Sequence, residues 1–444
     1  MLLMLIFLMC TLLLLLLMAL YFTNFQLLSP SIVVLFGFII ASFSSLYIFG
    51  KTGLTIELTT YMIITLSIAT FMFGEASARV TINSVRKLSP STKRCNQGSG
   101  SGAVSIPIKL IFLMIPIASF TLLEQYEYTL EIGRIFSSNG STLELIAKSR
   151  ICSILPLACE SVPLKTSTKL GLLLTKVAAY FAVYLLVFNQ DSIQLKKKIY
   201  KTSLYILLII FCLQLLMSTA RTGFVYFFIY IFALWGFYQY QNSLGNKYAT
   251  KTILIRGIFA VLFCSICFYA LGFLTSKSNS IGLIDMMVAY TGVQIFTLDL
   301  YLNDGCNFAC ASEGYETFYG VRTTLYRLGL VDSIMKPNLP FADIGNGMSS
   351  NIYTAIRRVV SDFGLLGSFL YFYILGFFYG VLYKNIRIKL GDNFYIVLYC
   401  MLLFPLVMIA WEEKFSNIIF SSFMILHICI TYLFFHFNKK RNKN

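Results

Sequence analysis

Residues 351–383 read NIYTAIRRVVSDFGLLGSFLYFYILGFFYGVLY. The first third is polar and carries Arg357, Arg358 and Asp362, while the rest is apolar and aromatic. At 1.5 Å per residue the apolar part is long enough to cross a hydrocarbon core of about 30 Å. A charged segment therefore runs straight into a membrane helix, with Asp362, Phe363 and Gly364 at the junction. At such a boundary a membrane enzyme can meet a lipid anchor and a water-soluble head group together.

The composition around this stretch fits a membrane protein. The 444 residues are 58% hydrophobic, 16% aromatic and only 12% charged, half of what a soluble domain carries. Mean hydropathy is +0.77. The apolar runs are long and unbroken rather than alternating, which favours helical spans over a barrel. Met1–Phe22 is too long for a signal-peptide core and lacks a basic start and a small-residue cleavage site, so it reads as a retained span. Further spans are expected at 31–49, 57–75, 107–123, 170–188, 203–219, 222–240, 253–275, 363–383, 393–411 and 417–437. The expectation is an all-α polytopic protein of about eleven transmembrane helices. Three regions follow: helices one to eight over 1–275 with a first external loop at 124–169, a large external loop at 276–362, and helices nine to eleven with a basic tail over 363–444.

The formal charge of +16 would suggest nucleic acid in a soluble chain. Here its placement decides otherwise. Lysine and arginine gather in 76–106, 189–201, 239–256, 384–392 and the tail, all on one side of an eleven-span topology. That side is then the cytoplasm, and the surplus meets anionic lipid; no nucleic-acid partner is required. The N-terminus falls outside in this topology. Reporter fusions at residue 310 should read external and those at 95 and 442 cytoplasmic; a cytoplasmic reading at 310 would overturn the site assignment. The Gly/Ser-rich piece 96–105 reads as a linker.

Most of the eleven cysteines lie in apolar spans, where they act as small hydrophobes. Cys152 with Cys159 and Cys306 with Cys310 fall in external segments, where an oxidising compartment permits bridges. The two histidines, His427 and His436, both sit in the last span, so no external histidine is available as metal ligand or base. Neither a metal nor another cofactor is expected. Lys176 and His427 are intramembrane ionisable groups, Lys176 able to snorkel and His427 to bond a neighbouring helix. Glu75 and Arg79 form an i,i+4 pair read as structural.

Arg221 lies in a tight turn between two apolar runs, on the external side, where arginine is less expected. It either snorkels to head groups or aims a bidentate guanidinium at phosphate. Arg357 and Arg358 pose the same choice, with Asp362 at i+4 from Arg358 as the competing partner. Asp362 itself is either a helix N-cap or a proton acceptor, and Glu316 and Asp343 are further carboxylates on the same loop. Segment 289–303 is half apolar and carries carboxylates, which suits an interfacial or re-entrant helix better than a span.

The run N-I-Y-T, then R-R, then D-F-G-x-x-G over 351–367 resembles the hallmark segment of the O-antigen polymerases, which join oligosaccharide repeat units in bacterial surface polysaccharide assembly. S-x-x-R-T-G at 218–223, Y-T-G-x-x-x-F at 290–296 and G-Y-E-T-F at 314–318 extend the resemblance. It implies a multi-pass protein of the bacterial inner membrane with its active site facing the periplasm. There the growing glycan would move from polyprenyl pyrophosphate onto a sugar hydroxyl of a new lipid-linked unit. Pyrophosphate contacts are then expected from Arg221, Arg322, Arg327, Arg357 and Arg358. A catalytic carboxylate is expected among Asp362, Glu316 and Asp343, and glycan contacts from Tyr290, Phe296, Tyr315, Asn351 and Tyr353. The resemblance also implies a flippase and a chain-length regulator of the same pathway as partners. Two rivals remain: an O-antigen ligase, which would carry an external-loop histidine that this loop lacks, and a flippase or transporter, which would need charged or broken spans around a cavity.

Overall fold

The computed structural model describes residues 2–137, except 89–107, then 139–151, 162–189, 197–218, 221–242, 250–260, 262, 266, 283–303, 314–334, 339–346, 348–388 and 393–441. The expected linker at 96–105, both cysteine pairs and most of the expected span at 253–275 lie outside these residues. The protein is overwhelmingly helical: α1 (Leu2–Phe22), α2 (Pro30–Thr52), α3 (Leu58–Leu88), α4 (Ile108–Phe136), α5 (Thr142–Ser149), α6 (Thr166–Phe188), α7 (Lys198–Met217), α8 (Arg221–Asn242), α9 (Leu283–Asn303), α10 (Tyr319–Arg327), α11 (Ala355–Ile388), α12 (Asn393–Met408), α13 (Phe415–Ile419) and α14 (Ser422–Arg441). Among the described residues, eight of these are long and apolar enough to cross a membrane: α1 to α4, α6 to α8 and α11. The chain is thus an all-α polytopic membrane protein. α12 and α14 are apolar but shorter.

Among the described residues, the expected external loops are largely helical. α4 runs on to Phe136, so 124–136 continues a span, and α5 follows with Ser141 capping it through the Glu144 N–H. Segment 276–362 holds α9, α10, the first turns of α11 and a small antiparallel hairpin, β1 (Ala342–Gly345) with β2 (Met348–Ser350). The hairpin is the one strand pairing among the described residues.

Contacts divide the chain into two compact units that interleave in sequence. The first takes Met1–Ser99, Asn242–Leu254 and Leu283–Ile425; the second takes Gly100–Gln241, Ile255–Gly282 and Leu426–Asn444. In the first, α3 and α11 pack along their length, because Gly74, Gly376 and Gly380 leave room for backbone to meet backbone. Glu75 does more than pair with Arg79. Its buried carboxylate also accepts from Ser29 Oγ and the Ser31 N–H, both at 2.8 Å, and so caps the N-terminus of α2. In the second unit, side-chain amides tie α4, α6 and α7 together. Gln125 Nε2 donates to Gln214 O at 3.0 Å, and Gln214 Nε2 to Ala118 O at 3.2 Å. Lys176 and His427 both sit against Tyr180, the ammonium 5.7 Å and the imidazole 5.1 Å from its ring.

Candidate active site

The site grows from the start of α11, which begins about two turns before the apolar run. The N–H of Ala355 donates to Ile409 O at 2.9 Å, so the polar first third is anchored to the end of α12. Gly364 then breaks the helix, with φ 66° and ψ −171°, a conformation that costs a side-chain-bearing residue dearly. The junction read at Asp362–Gly364 is therefore a real change of direction. Before it stands a short polar helix, 355–363, and after it the span.

Successive residues on a helix point about 100° apart, so Arg357 and Arg358 leave this short helix on different faces. Both are buried, at 6% and 8% exposure. Arg357 Nη1 pairs with Glu316 Oε2, and its guanidinium lies 4.6 Å from the ring of Tyr301 and 5.4 Å from that of Tyr353. Arg358 donates from Nη1 to Glu316 O and from Nη2 to Glu412 Oε1, each at 3.4 Å. Glu412 in turn holds Lys414 at 2.6 Å. Both Nε atoms, of Arg357 and of Arg358, are buried without a hydrogen-bond acceptor. Two nearly buried cations with donors to spare suit a ligand rich in oxygen acceptors. The Glu412 side chain keeps 32% of its surface, so the cluster opens on that side.

Asp362, 1% exposed, turns to the segment 314–318. α11 starts well upstream of it, and Arg358 is drawn to Glu412. Asp362 Oδ1 accepts the Glu316 N–H at 3.3 Å and Oδ2 accepts the Thr317 N–H at 2.5 Å. Thr317 Oγ1 returns a bond to Arg358 O at 3.3 Å. Phe318 and Phe363 stack edge to face at 5.8 Å beside them. Asp362 thus straps the turn 314–318 onto α11, which sets Glu316 beside the arginines. Burial pushes the Glu316 carboxyl above the usual carboxylate range, and the positive charge of Arg357 works against that push.

The other expected residues are scattered more widely. Arg322 lies over the Tyr315 ring at 4.6 Å, beside the cluster. Arg327 turns away to Ser422 Oγ at 2.6 Å and to the face of Phe423, so it is a packing residue of α10. Asp343 is exposed on the hairpin, where it accepts the Gly345 N–H at 2.9 Å. It belongs to the turn and not to the cluster. Asn351 is exposed, and Tyr353 is buried with its hydroxyl on Pro340 O at 3.0 Å. Phe296 is 1% exposed and offers no face to a sugar, which corrects the expectation for it. The Y-T-G run serves instead to dock α9 on α2: Ser44 Oγ meets Thr291 Oγ1 at 2.7 Å and Ser45 Oγ donates to Gly292 O at 2.8 Å. Tyr290, half-buried, stands at the edge of this contact. Arg221 opens α8 in the second unit, and its side chain lies outside the described residues.

Residues 411–414, Trp-Glu-Glu-Lys, do not figure among the expected site residues, yet they complete it. Glu412 and Lys414 extend the charge chain from Arg358. Glu413 is fully engaged, accepting from the Ser416 N–H at 2.7 Å, Tyr371 Oη at 3.0 Å and Asn417 Nδ2 at 2.8 Å, and so caps α13. The signal was present: three charges between two apolar runs, on the same side as the large loop. No family model, no curated protein and no solved structure matches this chain.

Proposed function

We propose that this chain is a glycosyltransferase that polymerises lipid-linked oligosaccharide repeat units at the periplasmic face of a bacterial inner membrane. One observation carries the reading. The segments 314–318 and 351–367, far apart in sequence and each resembling the same family, meet in one cluster of two arginines and two carboxylates. The chemistry suits them. A departing pyrophosphate gains negative charge that Arg357 and Arg358 can stabilise, an attacking hydroxyl must lose a proton to a base, and the half-buried Tyr301 and Tyr315 have rings of the kind sugars stack on. Arg221 enters from its sequence context alone.

A strain lacking the protein tests the reading through the gel banding of its surface polysaccharide. Loss of a polymerase leaves caps of a single repeat unit. An absence of caps would point to a ligase, or, with units accumulating inside, to a flippase, and either would sink the proposal.

A further inference from the structure

The two carboxylates of the cluster are used differently. Asp362 has both oxygens on main-chain donors, so taking up a proton would loosen the turn it straps. Glu316 has Oε2 on Arg357 and Oε1 facing Ser361 Oγ at 3.5 Å, the outer limit of a hydrogen bond. Its side chain keeps 16% of its surface, so a hydroxyl can reach it. The charged groups facing it are Arg357, Arg358 and Asp362.

Resting on the polymerase reading, we infer that Glu316 is the proton acceptor and that donor binding arms it by drawing Arg357 onto the pyrophosphate. Without donor, Arg357 neutralises Glu316 and keeps it a poor base. A pyrophosphate seated on Arg357 and Arg358 takes over that pairing and adds negative charge nearby, so proton uptake by Glu316 becomes more favourable. The acceptor hydroxyl oxygen then attacks C1 of the donor glycan, and its proton passes to a Glu316 oxygen. The bond from C1 to the pyrophosphate oxygen breaks, its electron pair leaving with the phosphate. One glycosidic bond has formed, one glycosyl–phosphate bond has broken, and Glu316 returns its proton to water. Asp362 is a positioning residue in this scheme, acting through the backbone of residue 316.

Full-length protein in nanodiscs tests the division of labour, using lipid-linked repeat units for turnover and undecaprenyl pyrophosphate alone for binding. Glu316→Gln is expected to bind undecaprenyl pyrophosphate at least as tightly as the wild type, since Arg357 no longer has a carboxylate to leave. Its kcat should fall about 10²-fold or more. Glu316→Asp, which keeps an acid one methylene short, should fall between the two. Asp362→Asn, whose carbonyl can still accept one N–H, should lower the thermal midpoint and reduce kcat, but by much less than Glu316→Gln does. The inference is overturned if Glu316→Gln elongates at near wild-type rate. It is equally overturned if both Glu316 variants bind weakly with a lowered thermal midpoint, the mark of a structural counter-ion. Loss of kcat by about 10²-fold in folded Asp362→Asn alone would pass the role to Asp362. If wild-type protein elongates nothing in the same assay, the polymerase reading itself falls.

Discussion

Arg357→Lys is expected to accumulate normally, to keep its thermal midpoint within a few degrees, and to yield almost only single-unit product. Lysine preserves the charge that Glu316 needs, so the large penalty for stranding a buried carboxylate, about 3–5 kcal/mol, does not arise. What it loses is the planar fork between Tyr301 and Tyr353 and the second donor that a phosphate oxygen would take. Removal of one donor to a developing oxyanion costs about 10²–10³ in rate, enough to stop elongation on the time scale of synthesis. Product length from cells carrying the variant, read against protein level, measures this. Near-normal polymer would reduce Arg357 to a packing partner of Glu316. Arg327→Lys is the contrast: its guanidinium is engaged with Ser422 and Phe423, so its loss should cost little product.

The largest effect on folding is expected at Gly376. A Cβ there would come under 3.0 Å from the Phe71 carbonyl, and one on Gly74 would meet the Tyr373 carbonyl as closely. These are backbone atoms that no rotamer change can move. Alanine at either site forces α3 and α11 apart and should cost about 3 kcal/mol, the upper end for overpacking; Gly376→Val should fail to accumulate. Gly50 is a control, since a Cβ added there meets nothing within 4 Å. Its replacement by alanine should be neutral or slightly stabilising through helix propensity. Thermal midpoints of the detergent-solubilised variants decide the matter.

Where the chain's own apolar runs set the outcome, the sequence was readable. Each of the eight long helices holds a run whose length alone implied a span, and Gly364 marks the turn at the polar–apolar boundary. Arg357, Arg358 and Glu316 were legible as candidates because charge at a membrane surface is conspicuous. Their partners were not. Asp362 read as a cap of its own helix, a partner of Arg358 or a proton acceptor, because local spacing offers no other partner. Its true partners, the N–H donors of Glu316 and Thr317, lie across a long loop. Arg358 prefers Glu412 because α12 ends beside it, a fact of tertiary packing with no local signature. The Y-T-G run misled for the opposite reason: small and hydroxyl residues that could serve a sugar serve a helix contact equally well.

The break at Gly364 has a mechanical consequence. A continuous rod through a bilayer transmits its tilt to whatever it carries, and tilt is how a helix adapts when acyl chains lengthen or shorten. Here the rod is interrupted just below the arginines. The short helix 355–363 is moored to the end of α12 through Ala355 and to the turn 314–318 through Asp362. Adaptation to lipid thickness can be absorbed at the glycine, so Arg357, Arg358 and Glu316 keep their spacing across membranes of different composition.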